Sequence, residues 1–151
     1  RHGCSLCLMM VDVDHFKQYN DHNGHLDGDE VLKIVARILG ERARRSDTVA
    51  RYGGEEFCVI LPETRLDLAA KVAEDVRHLV ENYPFQNRDK QPLGRVTISL
   101  GVAEFPADAS SARTLIDRAD QALYRAKTEG RNRVRLYRDA AESPGASPRA
   151  A

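Results

Sequence analysis

Arg51-Tyr52-Gly53-Gly54-Glu55-Glu56-Phe57 separates two short apolar runs, residues 48–50 and 57–61. Two such runs joined across a glycine pair predict a β-hairpin with Gly53-Gly54 at its tip. Glycines permit positive φ and leave no side chain in the way, so the backbone can approach a ligand closely. Glu55 and Glu56 follow at once and alternate across the outgoing strand, so one can face a site while the other faces away. A bare hairpin tip has no need of two adjacent acids on its outgoing arm.

The chain of 151 residues is long enough for one domain with a single core. Lys+Arg and Asp+Glu stand at 23 each, so no overall field points to a nucleic acid polymer or a membrane as partner. No apolar run approaches the ~20 residues of a membrane span, and no signal peptide opens the sequence. The three cysteines, Cys4, Cys7 and Cys58, form no disulfide framework, so reduced thiols and a cytoplasmic location are expected. Cys4-x-x-Cys7 has redox or zinc spacing, but no second pair completes a zinc site, and the run around it reads as strand. A structural role is expected for it.

Residues 6–13 form a nearly continuous apolar run, a strand buried on both faces, ending in Asp12-Val13-Asp14. Carboxylates there need partners. Asp12 is free to meet a cation, and Asp14 is suited to cap the turn at residues 16–20. Residues 20–29 read as a polar loop with two glycines. From Asp29 to about Arg45 a helix is predicted, with Val31, Leu32, Val35, Ile38 and Leu39 on its buried face. The hairpin follows. A second helix spans residues 66–83 with Leu68, Val72, Val76, Leu79 and Val80 buried. A strand over residues 95–103 has its partner, or a loop, in residues 85–93. A third helix is capped by Ser110 or Ser111, buries Leu115, Ile116, Ala119, Leu123 and Ala126, and closes at Gly130. A last strand covers residues 133–137, and from Asp139 the composition is that of a disordered tail. The order β-α-β-β-α-β-α-β predicts helices packed on a mixed or antiparallel sheet.

If the strands bearing Asp12 and Glu55 are neighbours, their carboxylates converge at one sheet edge. Two acids with room for water suit Mg²⁺, which takes one or two carboxylates plus phosphate oxygens. Lys127 and Arg131, one turn apart, offer positive charge to phosphates. Asn20 and Asp29 suit the edge of a base. Each residue alone also has an ordinary reading: Asn20 in a turn, Asp29 as an N-cap, Lys127 and Arg131 as a solvated helix end.

Together the motifs resemble the GGDEF family, the diguanylate cyclases of bacterial signalling, in its Gly-Gly-Glu-Glu-Phe form. The hairpin matches the family signature. Asp12-Val13-Asp14-His15-Phe16-Lys17 resembles its D-x-D-x-F-K segment. Asn20-Asp21 and Gly24-His25-Leu26-Asp27-Gly28-Asp29 resemble N-D and G-H-x-x-G-D. Residues 119–127 and Gly130-Arg131-Asn132 resemble A-D-x-A-L-Y-x-A-K and G-R-N. The match spans residues 6–134, and residues 1–138 are expected to be the domain, followed by the tail at 139–151.

The resemblance implies an α/β (α+β) sandwich like nucleotidyl cyclases and the polymerase palm. Its βαββαβ core is ferredoxin-like, with a mostly antiparallel sheet flanked by helices. It implies condensation of two GTP into cyclic di-GMP with release of two pyrophosphates, dependent on Mg²⁺ or Mn²⁺. By the same likeness Asp12, Glu55 and the Val13 carbonyl hold metal, and Glu55 helps deprotonate the attacking 3′-hydroxyl. Asn20 and Asp29 hold guanine. Phe16, Lys17, Lys127 and Arg131 surround the phosphates, and Gly53 and Gly54 leave room for the nucleotide. Arg44-Arg45-Ser46-Asp47 resembles the family's R-x-x-D inhibitory motif, with Arg44 and Asp47 as its reading residues. A second arginine would come from the neighbouring helix, where this chain has Glu74-Asp75-Val76-Arg77. The family's opening helix and its D-x-L-T-x-L-x-N-R-type turn are expected upstream of Arg1. Two copies are expected to pair through that upstream region, and the isolated chain to be weakly active. Two other readings stay open: a silent receptor for cyclic di-GMP or GTP, and a nucleotidyl cyclase using ATP or making a monocyclic product.

Overall fold

A computed structural model describes residues 4–142. Its frame is a five-stranded sheet of order β2-β3-β1-β4-β5. The strands are β1 (Leu6–Val13), β2 (Thr48–Arg51), β3 (Glu56–Pro62), β4 (Ile98–Phe105) and β5 (Val134–Leu136). All pairings are antiparallel except β4 with β5. β1 is central, flanked by β3 and β4, which is why its sequence is apolar on both faces.

The helices are α1 (Phe16–Asn23), α2 (His25–Arg42), α3 (Leu66–Glu81), α4 (Ala112–Thr128) and α5 (Tyr137–Glu142). Alternation along β1 divides the core. Cys7, Met9, Val11 and Val13 pack with residues of α2 and α3 such as Val35, Ile38, Val76 and Val80. Leu8 and Met10 pack with Leu115, Ala119 and Leu123 of α4 on the other face. Each fully buried aliphatic side chain contributes roughly 1.5–3 kcal/mol, so the two faces together anchor the helices. α4 lies hard against β4 at Gly101, where an added Cβ would stand 2.2 Å from the Leu123 amide nitrogen and 2.3 Å from the Ala119 carbonyl oxygen.

Several boundaries differ from the sequence reading. Residues 20–29 are not a loop: α1 runs to Asn23 and α2 starts at His25. Gly24, at φ 89°, makes the break between them. α2 ends at Arg42 and α3 at Glu81. β4 begins at Ile98 rather than residue 95, and residues 85–93 hold only a 3-10 turn at Arg88–Lys90. Of the two serines expected at the start of α4, Ser111 is the cap, in a reciprocal capping box with Thr114. α3 buries Ala69, Ala73 and Arg77 beside Val76 and Val80, while Leu68 and Leu79 are each 47% exposed. β5 stops at Leu136 and the chain turns into α5, so the expected tail starts inside a helix; its remainder, residues 143–151, lies outside the described residues.

Asp14 does not cap α1. The N-cap is His15, in the left-handed region with no side-chain cap bond. Asp14 is instead buried, accepting from Thr97 Oγ1 (2.7 Å), Ser99 Oγ (2.7 Å) and the Asn132 backbone N–H (3.0 Å). Cys7 is buried in β1 and donates through Sγ to the Thr64 carbonyl at 3.3 Å. Burial above all, then Glu104 and Asp108, pushes its thiol up to about 12, the profile of a structural cysteine.

Candidate active site

The site forms where β1 ends beneath the β2–β3 turn. Asp12 lies opposite Glu56 of β3 and Ser99 of β4, and is 2% exposed. Glu55 sits in the turn just before β3, its carbonyl accepting from the Val13 N–H at 3.2 Å. The expected neighbouring of the two strands is therefore met, and the acids meet with it. Burial, then the Asp12 charge, pushes the Glu55 carboxyl above the usual range. Burial also pushes Asp12 up, against the Lys127 ammonium that lowers it, with Glu56 and Asp14 adding repulsion. Glu56 thus does not face away from the site; its charge is felt at Asp12.

Asp12 Oδ2 is held by Lys127 Nζ, reaching across from α4. Asp12 Oδ1 is buried with no hydrogen-bond partner. A buried carboxylate oxygen left bare costs on the order of 1–3 kcal/mol, so this atom is poised for a ligand. No group of three or more His, Cys, Asp or Glu able to hold a metal occurs among the described residues. Mg²⁺ needs few protein carboxylates when phosphate and water complete its shell. The donors here, Asp12, Glu55 and the Val13 carbonyl, are all hard oxygens and fit such an ion.

The turn itself is shaped by Arg51, which donates from Nη2 to the Gly54 carbonyl (2.6 Å) and from Nε to the Gly53 and Gly54 carbonyls (3.2 and 3.1 Å). The Tyr52 and Gly53 N–H groups both donate to the Glu56 carbonyl. Neither glycine has positive φ, so conformational freedom is not their use. Space is: an added Cβ at Gly54 would meet nothing within 4 Å, and at Gly53 only the Glu56 side chain.

Of the expected base-reading pair, Asn20 lies on α1 and Asp29 on α2. Asn20 Oδ1 is buried and without a partner, pressed so near Gly28 that a Cβ there would be 1.7 Å away. Asp29 is exposed and lines a cleft of about 410 Å³ between α2 and the hairpin, with Leu32, Lys33, Val49, Arg51 and Phe57. Asp12 and Glu55 do not line it. Phe16 is buried beside Gly28. Lys17 points to solvent and pairs with Asp21 at 3.2 Å. Arg131 is not one turn along the helix from Lys127. It lies past the end of α4 in the left-handed region, at φ 65°, with its Nε buried and unpartnered.

Arg44 and Asp47 are joined to each other, Nη2 to Oδ1 at 2.9 Å. Arg44 also donates to the Pro62 carbonyl (2.9 Å) and Thr64 Oγ1 (2.6 Å). On α3, Asp75 is taken by Arg42 at 2.5 Å, and Arg77 is buried among Glu74, Glu81 and Asn132. Sequence reasoning missed Asp14, Arg51, Arg77 and Asn132 as parts of the site's frame. The signal available for Asn132 was its place after Gly130-Arg131, since asparagine is, after glycine, among the residues that most readily take left-handed backbone past a helix end.

The model of the family described as Diguanylate cyclase, GGDEF domain, matches residues 1–133. This chain belongs to the GGDEF family. Diguanylate cyclase A of Treponema denticola is 45% identical over 135 residues, 89% of this chain and 36% of that protein. The chain thus spans little more than a third of that curated relative. Among solved structures, the GGDEF domain of DgcB from Caulobacter crescentus, in complex with c-di-GMP, superposes with a TM-score of 0.81 at 40% identity, over 90% of this chain and 80% of that one. The active GGEEF domain of a diguanylate cyclase from Vibrio cholerae gives 0.81 at 33% identity, over 89% and 83%. The cyclase-type sheet, expected from the motifs, is the fold of this GGDEF domain. Among the described residues no helix is long and apolar enough to cross a membrane.

Proposed function

We propose that this GGDEF domain is a diguanylate cyclase that condenses two GTP into cyclic di-GMP, with Mg²⁺ or Mn²⁺ held by Asp12, Glu55 and the Val13 carbonyl. The observation that carries the reading is the buried, unpartnered Asp12 Oδ1 beside Glu55, with a lysine on the other oxygen of Asp12. A receptor that never turns over nucleotide gains nothing from setting the half-buried Glu55 carboxylate against the buried, repelling Asp12. When bound, the divalent ion supplies charge stabilisation at the reacting phosphate.

The chain's own residues do the remainder. Glu55, with its carboxyl raised by burial and by Asp12, is tuned toward accepting the proton of the attacking 3′-hydroxyl. Lys127, which holds Asp12 here, would be the group to turn to the phosphate oxygens if a divalent ion took its place on Asp12. The bare Arg131 Nε offers a charged donor to the same oxygens. Asn20 and Asp29 take the donor edge of guanine. One domain holds one GTP, so the 3′-hydroxyl attacks a phosphate held by a second copy, and turnover requires two copies to pair. The domain acts in the cytoplasm, where GTP is found. The test is incubation of the full-length parent with GTP or ATP and Mg²⁺ and chromatography of the product. Cyclic di-GMP from GTP, lost in Glu55→Gln, is expected. Turnover by Glu55→Gln at the wild-type rate would overturn the assignment.

We also infer product feedback at Arg44 and Asp47. A guanidinium and a carboxylate at this spacing match the O6/N7 and N1–H/N2–H edges of guanine. In this structure Arg44 Nη2 is taken by Asp47, Pro62 and Thr64 and the Asp47 carboxylate is nearly buried against Arg44, so reading guanine requires the two to release each other. Because Asp75 is committed to Arg42 and Arg77 is buried, α3 offers no second free arginine, and affinity rests on Arg44. Calorimetry with cyclic di-GMP should give weaker binding in Arg44→Ala; unchanged affinity would reject this site.

A further inference from the structure

The turn after α4 holds two consecutive non-glycine residues in the left-handed region, Arg131 at φ 65° and Asn132 at φ 50°. Side chains raise the free energy of that conformation, so something must hold the turn. The bonds around Asn132 do so. Its N–H donates to Asp14 Oδ2 at 3.0 Å. Its Oδ1 accepts from Arg77 Nη1 at 2.9 Å, and its Nδ2 donates to Glu81 Oε2 at 2.9 Å. Arg77 is held in turn by Glu74 (2.7 Å) and Glu81 (3.3 Å). The Asn132 amide, ahead of any charge, keeps the Glu81 carboxyl below its ordinary range. Asp14 is fixed by Thr97 and Ser99 at 2.7 Å each.

These groups come from four places in the chain: the end of β1, the start of β4, α3 on one face of the sheet, and the turn after α4 on the other. They meet at one point. Their product is the placement of Arg131, whose own N–H is tied to the Ala126 carbonyl at 2.9 Å while its Nε stays buried and bare. We propose that Asn132, Arg77, Glu81 and Asp14 are positioning residues that lock the left-handed turn so that Arg131 is aimed at the substrate's phosphates. The inference rests on the nucleotide-binding reading above. It adds that α3, which carries none of the expected substrate-binding residues, governs phosphate binding.

The test is calorimetric affinity for GTP and for guanosine, with and without Asn132→Gly, Arg131→Ala and the double variant. Glycine keeps the left-handed backbone accessible and keeps the N–H bonded to Asp14, but removes the contacts to Arg77 and Glu81. Losing a well-aimed charged donor should lower GTP affinity about tenfold. Guanosine affinity should stay unchanged, and Arg131→Ala should lose nothing more when Asn132→Gly is added. A folded Asn132→Gly with wild-type GTP affinity overturns the proposal. So does an equal loss for guanosine, or full additivity with Arg131→Ala. If Asn132→Gly does not fold, Arg77→Met, which leaves the turn's own residues in place, is read by the same criteria. Failure of the wild-type protein to bind GTP would instead count against the cyclase reading itself.

Discussion

Gly28→Ala separates substrate recognition from folding. Gly28 is buried within α2, and an added Cβ would lie 1.7 Å from Asn20 Oδ1, 2.8 Å from Asn20 Cγ and 3.2 Å from the tip of the Phe16 ring. To reach ordinary contact the amide oxygen must retreat by roughly 2 Å. What it meets is the far end of a flexible side chain, so Asn20 swings away and α2 stays in place. Two effects then favour the folded state. Alanine is better than glycine inside a helix by about 1 kcal/mol. An acceptor now buried without a partner is turned toward water, relieving part of a penalty of about 1–3 kcal/mol. Stability should therefore hold or rise.

Recognition should suffer if Asn20 reads guanine as proposed above, because its acceptor has left its place. One neutral hydrogen bond is worth about 1 kcal/mol, or about fivefold in affinity. The assay is calorimetry with a non-hydrolysable GTP analogue, paired with thermal denaturation. In Asn20→Ala the further change Gly28→Ala should cost no affinity, since the side chain it displaces is absent. Full analogue affinity in a folded Gly28→Ala variant, or equal losses in both backgrounds, would refute the link between Gly28, Asn20 and the base.

Gly101→Ala is expected to behave oppositely. Its Cβ would strike α4 backbone at 2.2 and 2.3 Å, so α4 must lift from β4 at a cost of about 1–3 kcal/mol or more; urea unfolding should show the midpoint falling, and an unchanged midpoint would count against the packing described. Glu55→Gln, in metal-free buffer, should stabilise the protein at pH 7. The folded-state carboxyl is raised, so its charge destabilises the fold above the unfolded value of about 4.3 and fully so above the folded value; the advantage should fade as pH falls through the folded value and be gone below the unfolded one. Thermal melts giving a constant difference from pH 3 to 8 would contradict this. In the native protein at pH 8, iodoacetamide should leave Cys7 unlabelled, its thiol being buried and raised to about 12; mass spectrometry finding Cys7 alkylated without unfolding would show the strand to be open.

What the sequence made legible depended on the range of the interaction. The hairpin at Gly53-Gly54, the buried face of α2 and the cap at Ser111 are set by neighbours along the chain, and each stands where the pattern put it. The short α1 was hidden by composition. Asn20 to Asn23 is polar enough to read as loop, yet Phe16 and Tyr19 bury one side of that helix, and only Gly24 interrupts it. Asp14 was misjudged for a different reason. A local rule offered it the N-cap of α1, whereas its actual donors lie 83, 85 and 118 residues away. A buried carboxylate must find donors, but the sequence does not say which distant elements bring them. The same holds for Asp12, whose cation in this structure is a lysine from α4. Lys127 was expected at the phosphates, and its contact with Asp12 gives it a second task there. A bare Asp12 would be repelled by Glu55, Glu56 and Asp14 at once. Lys127 lets the acids stay gathered, and in the cyclase proposed above the same residue would yield Asp12 to a divalent ion and turn to the nucleotide phosphates.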